Sequence, residues 1–139
     1  MFKLRLFCGL LLISLCFAAP AFALYPEIPR ISIDDLKAMI DAGEPVLILD
    51  TQPEMVYDMG HIAGSVSFPW RETVAFNDVR AFPRDVLIVT YCECGPGESD
   101  SAHMANLLKM LGFRNVSVLE DPSYTGWHAL GYPVEDNTE

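Results

Sequence analysis

The stretch from Val86 to Gly112 constrains this chain more than any other, because it reads as strand, loop and helix in immediate succession. Val86-Leu87-Ile88-Val89-Thr90-Tyr91 is a short, apolar, β-rich run of the length of a buried strand. Beyond it Met104, Leu107, Leu108 and Leu111 fall at i, i+3, i+4 and i+7, the stripe of an amphipathic helix. Ser99 or Asp100 stands where that helix needs its cap, and Gly112 where a C′ glycine belongs. The loop between them carries Cys92, Glu93, Cys94, Gly95, Pro96, Gly97 and Glu98. A thiol in such a loop lies among backbone N–H groups at a helix start, which stabilise an anion and so favour a thiolate.

The rest of the chain supplies what this unit packs against. Ser32, with Asp35 three residues on, predicts a helix start, and Ile33, Leu36 and Ile40 give that helix an apolar stripe closed by Gly43. Val46-Leu47-Ile48-Leu49-Asp50 is a continuous apolar run of the kind buried on both faces in a parallel sheet. Pro53 to Met59 predicts a short helix ended by Gly60, followed by a tight turn through Gly64 and a brief strand up to Trp70. A helical turn or two is expected around Thr73 to Val79, a strand at Val116 to Leu119, and a last short helix from Tyr124 to Leu130 holding Trp127. Leu24 to Arg30 reads as an extended lead-in, and the residues after Val134 as a disordered acidic tail. Strands alternate with helices, so the predicted class is α/β: one domain, a mostly parallel central sheet, helices on both faces. In such sheets the loops at the carboxyl ends of the strands build the site, which puts Asp50, Thr51 and Gln52 on the same rim as the cysteine loop.

Residues 1–23 read as a signal peptide: Lys3 and Arg5 ahead of an apolar run from Leu6 to Ala19, then Ala21-Phe22-Ala23 as a small-x-small cleavage site. Leu24 is then the mature N-terminus, 24–139 the single domain, and the compartment expected is the periplasm. The alternative is an uncleaved anchor, although the run falls short of the roughly 20 residues that span a bilayer comfortably. Neither Cys8 nor Cys16 follows the small residue expected of a lipoprotein site. Cleavage takes away two basic residues and no acid, so the net charge of −10 becomes −12. That argues against nucleic acid or an anionic membrane surface as partner, and requires any anion site to be local. Two of the four cysteines leave with the signal, and the remaining two share one loop instead of being spread along the chain as a structural framework would be. In an oxidising compartment that pattern suggests thiol chemistry more than stapling.

Three runs, Leu47 to Pro69, Leu87 to Cys92 with Ser99 to Glu120, and Trp127 to Val134, together resemble the rhodanese family. Leu47 to Pro69 (LILDTQPEMVYDMGHIAGSVSFP) is similar to its first signature. LIVTYC followed by SDSAHMANLLKMLGFRNVSVLE looks like its active-site strand, helix and next strand, and WHALGYPV, Trp127 to Val134, like its terminal signature. The resemblance spans about residues 31–135. It implies a single rhodanese-like domain with Cys92 at the position of the cysteine that accepts sulfane sulfur as a persulfide, cradled by loop amides through Ser99. The family's typical loop reads Cys, two residues, Gly, one residue, Arg, Ser. Here it is one residue longer, and Glu98 stands just before Ser99, where the arginine would be. A glutamate there would repel an anionic donor such as thiosulfate, at a cost of about a kcal/mol or more at close range. The usual Asp-x-Arg is Asp50-Thr51-Gln52, and Asp121-Pro122-Ser123-Tyr124 replaces the Gly-Gly before the last tryptophan.

The expected roles follow. Cys92 is the candidate nucleophile, against a buried structural thiol. Cys94 either resolves a persulfide or sulfenate on Cys92, pairs with it, or fills space. A bond across two residues closes a tight ring that is easily reduced. Glu98 is read as a solvated loop residue, or alternatively as a base or a repulsive charge. Asp50 and Gln52 shape the rim, with Asp50 able to orient loop amides. His61 is structural, His103 and His128 lie on the surface, and Trp70 and Trp127 are core or pocket wall, with core the leading reading. A lone Cys-x-Cys pair offers too few ligands for zinc, and no cofactor is expected. The activity expected is that of a sulfurtransferase-like protein with small sulfur donors and thiol acceptors as partners, a protein acceptor being unspecified. The alternatives are a thiol–disulfide protein using Cys92 and Cys94, or a non-catalytic binding module. A phosphatase needs an arginine six residues after the cysteine, and that position is Glu98.

Overall fold

The structure, a computed structural model, describes residues 27–138. The expected signal peptide and the new N-terminus at Leu24 lie outside them. In chain order the elements are β1 (Arg30–Ile31), α1 (Ile33–Asp41), β2 (Val46–Asp50), α2 (Glu54–Met59), β3 (His61–Ile62) and β4 (Val66–Ser67). They continue with α3 (Phe76–Val79), β5 (Leu87–Tyr91), α4 (Ser99–Met110), β6 (Val116–Leu119), α5 (Ser123–Ala129) and β7 (Val134–Glu135). Five strands form one parallel sheet in the order β1-β6-β5-β2-β4, while β3 and β7 pair separately and antiparallel.

The apolar runs of β2 and β5 lie at the centre because both of their faces are covered. Leu49 and Ile88 point to a core layer with Val79 of α3 and Met104, Ala105 and Leu108 of α4. Ile48, Val89 and Tyr91 point the other way, to Leu36 of α1 and Trp127 of α5. Alternation at period two thus serves two apolar layers at once, which is why these strands show no polar face. The α/β class, the mostly parallel sheet and the helices on both faces are as expected.

Local signals are met where they were strongest. Ser32 Oγ accepts from the Asp35 N–H at 3.1 Å and caps α1. Gly43 follows the helix end at φ 72°, a left-handed conformation that glycine adopts without cost. The segment read as an extended lead-in ends in a sheet strand, β1, paired in parallel with β6. Two expectations need correction. The acidic tail is not disordered at its start: β7 pairs with β3, and the Asn137 N–H donates to the Asp58 carbonyl. Trp70 is not core; it is half exposed and its ring lies tilted against His103, centroids 5.6 Å apart.

Candidate functional site

Cys92 follows the last residue of β5 and is buried, with 4% of its surface exposed. Seven residues later α4 begins. The loop between turns back on itself because Gly95 and Gly97 take φ of 82° and 91°, values an L side chain resists. Glu98 itself is left-handed at φ 45° and occupies the N-cap position of α4 without a side-chain cap. Ser99 and Asp100 therefore do not cap the helix, as the sequence suggested; both lie within its first turn, where the Ser99 hydroxyl donates to Asp100 Oδ1. The Ala102 N–H is the first to reach a helical carbonyl, that of Glu98. The N–H groups of Ser99, Asp100 and Ser101 thus stand outside the helical ladder at the positive end of a twelve-residue helix.

The sulfur of Cys92 lies 3.5 Å from Ser101 Oγ, whose hydroxyl donates to the Glu98 carbonyl at 3.1 Å. Cys92 and Cys94 are joined as a disulfide, with their Cα atoms 5.3 Å apart. Cys94 is half-buried, so it is the more accessible of the pair.

Two carboxylates fasten the loop. Glu93 Oε1 accepts from the Ser123 hydroxyl at 3.0 Å and the Thr125 N–H at 2.8 Å, and its Oε2 from the Thr125 hydroxyl at 2.8 Å. In effect Glu93 caps α5 from a distance, a helix whose own N-cap, Pro122, has no side chain to do so. Ser123 also donates to the Cys92 carbonyl. At the other end, Glu98 is not a solvated loop residue. It is 6% exposed, its Oε2 takes Arg30 Nε at 2.9 Å, and its Oε1 accepts the Asp121 N–H at 3.0 Å. A buried carboxylate needs such partners, and the pair with Arg30 answers the charge that was expected to face an incoming anion.

Asp50 does not orient the cysteine-loop amides. It is fully buried beneath the rim, where Oδ2 accepts the Tyr91 hydroxyl at 2.6 Å and Oδ1 the Gln52 N–H at 2.9 Å. Tyr91 Oη in turn accepts the Ile62 N–H at 3.1 Å. Burial raises the Asp50 carboxyl above its ordinary range, against the lowering effect of these hydrogen bonds. The Tyr91 hydroxyl is raised far above its ordinary value by burial and by the Asp50 charge, so it stays protonated as a donor. His61 is structural as read: buried, Nδ1 2.8 Å from the Tyr57 carbonyl, its ring stacked on Tyr57. Gln52 does reach the rim, where it lines a cleft of about 360 Å³ with Val56, Met59, Glu93, Tyr124 and Thr125.

Among the described residues no group of three or more His, Cys, Asp or Glu is arranged to hold a metal ion, and no helix is long and apolar enough to cross a membrane. Sequence reasoning missed Arg30, Ser101, Ser123 and Thr125. Each acts through the fold: Arg30 lies 68 residues from its partner Glu98, a pairing no local pattern discloses.

A parallel α/β sheet with a cysteine-bearing loop between its central strand and a covering helix defines a class of domain, and the comparisons agree. The rhodanese-like domain family model matches residues 32–130, so the chain belongs to the rhodanese-like family. The BH2092 protein from Bacillus halodurans superposes with a TM-score of 0.70 at 25% identity, over 78% of this chain and 77% of that one. The rhodanese-like domain of an Anabaena sp. protein superposes at 0.64 with 29% identity, over 78% and 79%. A thiosulfate sulfurtransferase from Pseudomonas aeruginosa shares the fold at a TM-score of 0.65 and 24% identity, over 80% of this chain and 20% of its own. No curated protein matches the chain significantly.

Proposed function

We propose that the chain is an exported, periplasmic sulfur carrier of the sulfurtransferase type, with Cys92 as its nucleophile. The Cys92 thiolate attacks the sulfane sulfur of a donor, a sulfur–sulfur bond to Cys92 forms as the donor's own bond breaks, and the rest of the donor leaves with the bonding pair, as a thiolate from a thiol persulfide or as sulfite from thiosulfate. An acceptor thiol then takes the terminal sulfur and restores Cys92. The observation that carries this reading is the placement of Cys92 between β5 and the start of α4, with the first-turn N–H groups of α4 free of the helical ladder. Membership of the rhodanese-like family supports it.

The loop favours thiol persulfides over thiosulfate as donor. The position before Ser99 offers Glu98 in place of a cation, and the guanidinium nearest to it, Arg30, is engaged by Glu98 and by the Ile28 carbonyl. The cleft beside Gln52 and Glu93 is the place for the acceptor. The bonded pair Cys92–Cys94 favours a second reading, a thiol–disulfide protein that handles no sulfane sulfur.

The test is sulfur transfer from glutathione persulfide to an acceptor thiol, run alongside thiosulfate. The expected result is catalysis with the persulfide, at least about tenfold less with thiosulfate, and none above background for Cys92→Ser. A Cys92→Ser protein with undiminished activity would contradict the proposal.

A further inference from the structure

We propose that Cys94 is a resolving residue that converts the sulfur carried on Cys92 into free hydrogen sulfide, closing the Cys92–Cys94 disulfide. The inference rests on the persulfide reading above and gives the carried sulfur a second fate that needs no acceptor thiol.

Three observations support it. First, the two sulfurs are joined as a disulfide in the same structure that holds both anchors of the loop in place. Second, the loop is held at both sides of Cys94. Glu93, its neighbour, is tied to Ser123 and Thr125, and Glu98 is tied to Arg30 and the Asp121 N–H. Gly95 and Gly97, left-handed between these anchors, turn the chain back on itself directly after Cys94. A tethered thiol in that position outcompetes a dissolved one through effective concentration. Third, the accessibilities differ: Cys92 is buried and Cys94 half-buried. An external thiol therefore meets Cys94 first, and Cys92 is the sulfur that leaves as thiolate at the start of α4.

The step balances without an outside oxidant. The Cys94 thiolate attacks Cys92 Sγ, the new disulfide bond forms as the bond from Cys92 Sγ to the terminal sulfur breaks, and hydrosulfide departs with the bonding pair. Hydrosulfide takes up the proton that Cys94 had lost. The sulfane sulfur gains two electrons and the cysteine pair loses two. An external thiol or dithiol then returns the pair to its reduced form and is itself oxidised to a disulfide.

The test treats the reduced protein with one equivalent of glutathione persulfide, removes small molecules, and follows sulfide release and intact mass together. Wild type is expected to release about one sulfide per chain with no thiol added, and to finish lighter than the reduced protein by two hydrogens. Cys94→Ser is expected to hold the added sulfur atom and to release sulfide only when an external thiol is supplied. A wild type that holds its persulfide as long as Cys94→Ser does would overturn the resolving role alone. A Cys94→Ser protein that takes up no sulfur would overturn both proposals, since nothing would then be present to resolve.

Discussion

Two polar regions meet at the carboxyl end of β5, and they are built on opposite terms. Around Asp50 and Tyr91, a carboxylate, a phenol, a backbone amide from β3 and the Gln52 N–H answer one another, all in the interior. One residue further on, the Cys92 loop leaves the N–H groups at the start of α4 outside the helical ladder, and its side chains fasten it to the rest of the fold through Glu93 and Glu98 at its flanks. Closed networks of the first kind hold a fold in register. An anchored loop whose middle is left unpaired is where anionic sulfur can be held. The adjacent residues Tyr91 and Cys92 therefore stand in opposite settings, the first in a closed buried network and the second, on the proposed reading, where chemistry takes place.

Substitutions can break that contrast. Tyr91→Phe removes a hydrogen bond to Asp50 and leaves the Ile62 N–H without its acceptor, which is expected to cost about 2–3 kcal/mol in denaturant unfolding. Sulfur transfer per folded molecule should change little; a selective loss of transfer at unchanged stability would erase the distinction between the two regions. Arg30→Ala leaves the Glu98 carboxylate buried with only the Asp121 N–H. Because Arg30 is about one-third exposed, the cost is expected to be smaller, about 1–2 kcal/mol. This variant should also slow transfer, because Glu98 is the hinge between loop and helix. Arg30→Lys should recover part of both losses.

The smallest effect is one of pH. Burial raises the Asp50 carboxyl, so between the unfolded and folded pKa values the folded state binds more protons than the unfolded one. Stability contributed at this site is then greatest at low pH and falls as pH rises through that window. Comparing unfolding midpoints of wild type and Asp50→Asn from acid to neutral pH should show the wild type losing ground to the variant as pH rises. A difference that stays constant, or moves the other way, would mean the carboxyl titrates no higher in the fold than out of it.

What the sequence disclosed follows from how far each determinant acts along the chain. The strands at Val46 to Asp50 and Leu87 to Tyr91, the stripe through Met104 and Leu108, and the cap at Ser32 are written within a few residues, and all were legible. Strands β3 and β7 are two residues each, too short for any period to show, so the Val134–Glu135 pairing was read as tail. A core place for Trp70 does not follow from its hydrophobicity, because a large apolar side chain in a connection can also stay half exposed, as this one does. The sequence reads Glu98 as a solvated loop residue, because the partners that bury it, Arg30 and Asp121, are distant in sequence. Cys92 was singled out by its place between strand and helix, and the structure puts it there. The anchors of its loop became visible only in three dimensions.

Both proposals require that Cys92 itself bear the sulfur. The most direct measurement is peptide-mapped mass spectrometry of Cys94→Ser after exposure to glutathione persulfide, with alkylation to fix the persulfide in place. One added sulfur atom is expected, confined to the peptide containing Cys92 and absent when Cys92 is also replaced by serine. Sulfur distributed without regard to Cys92, or no added sulfur under conditions in which Cys92 is alkylated readily, would contradict it.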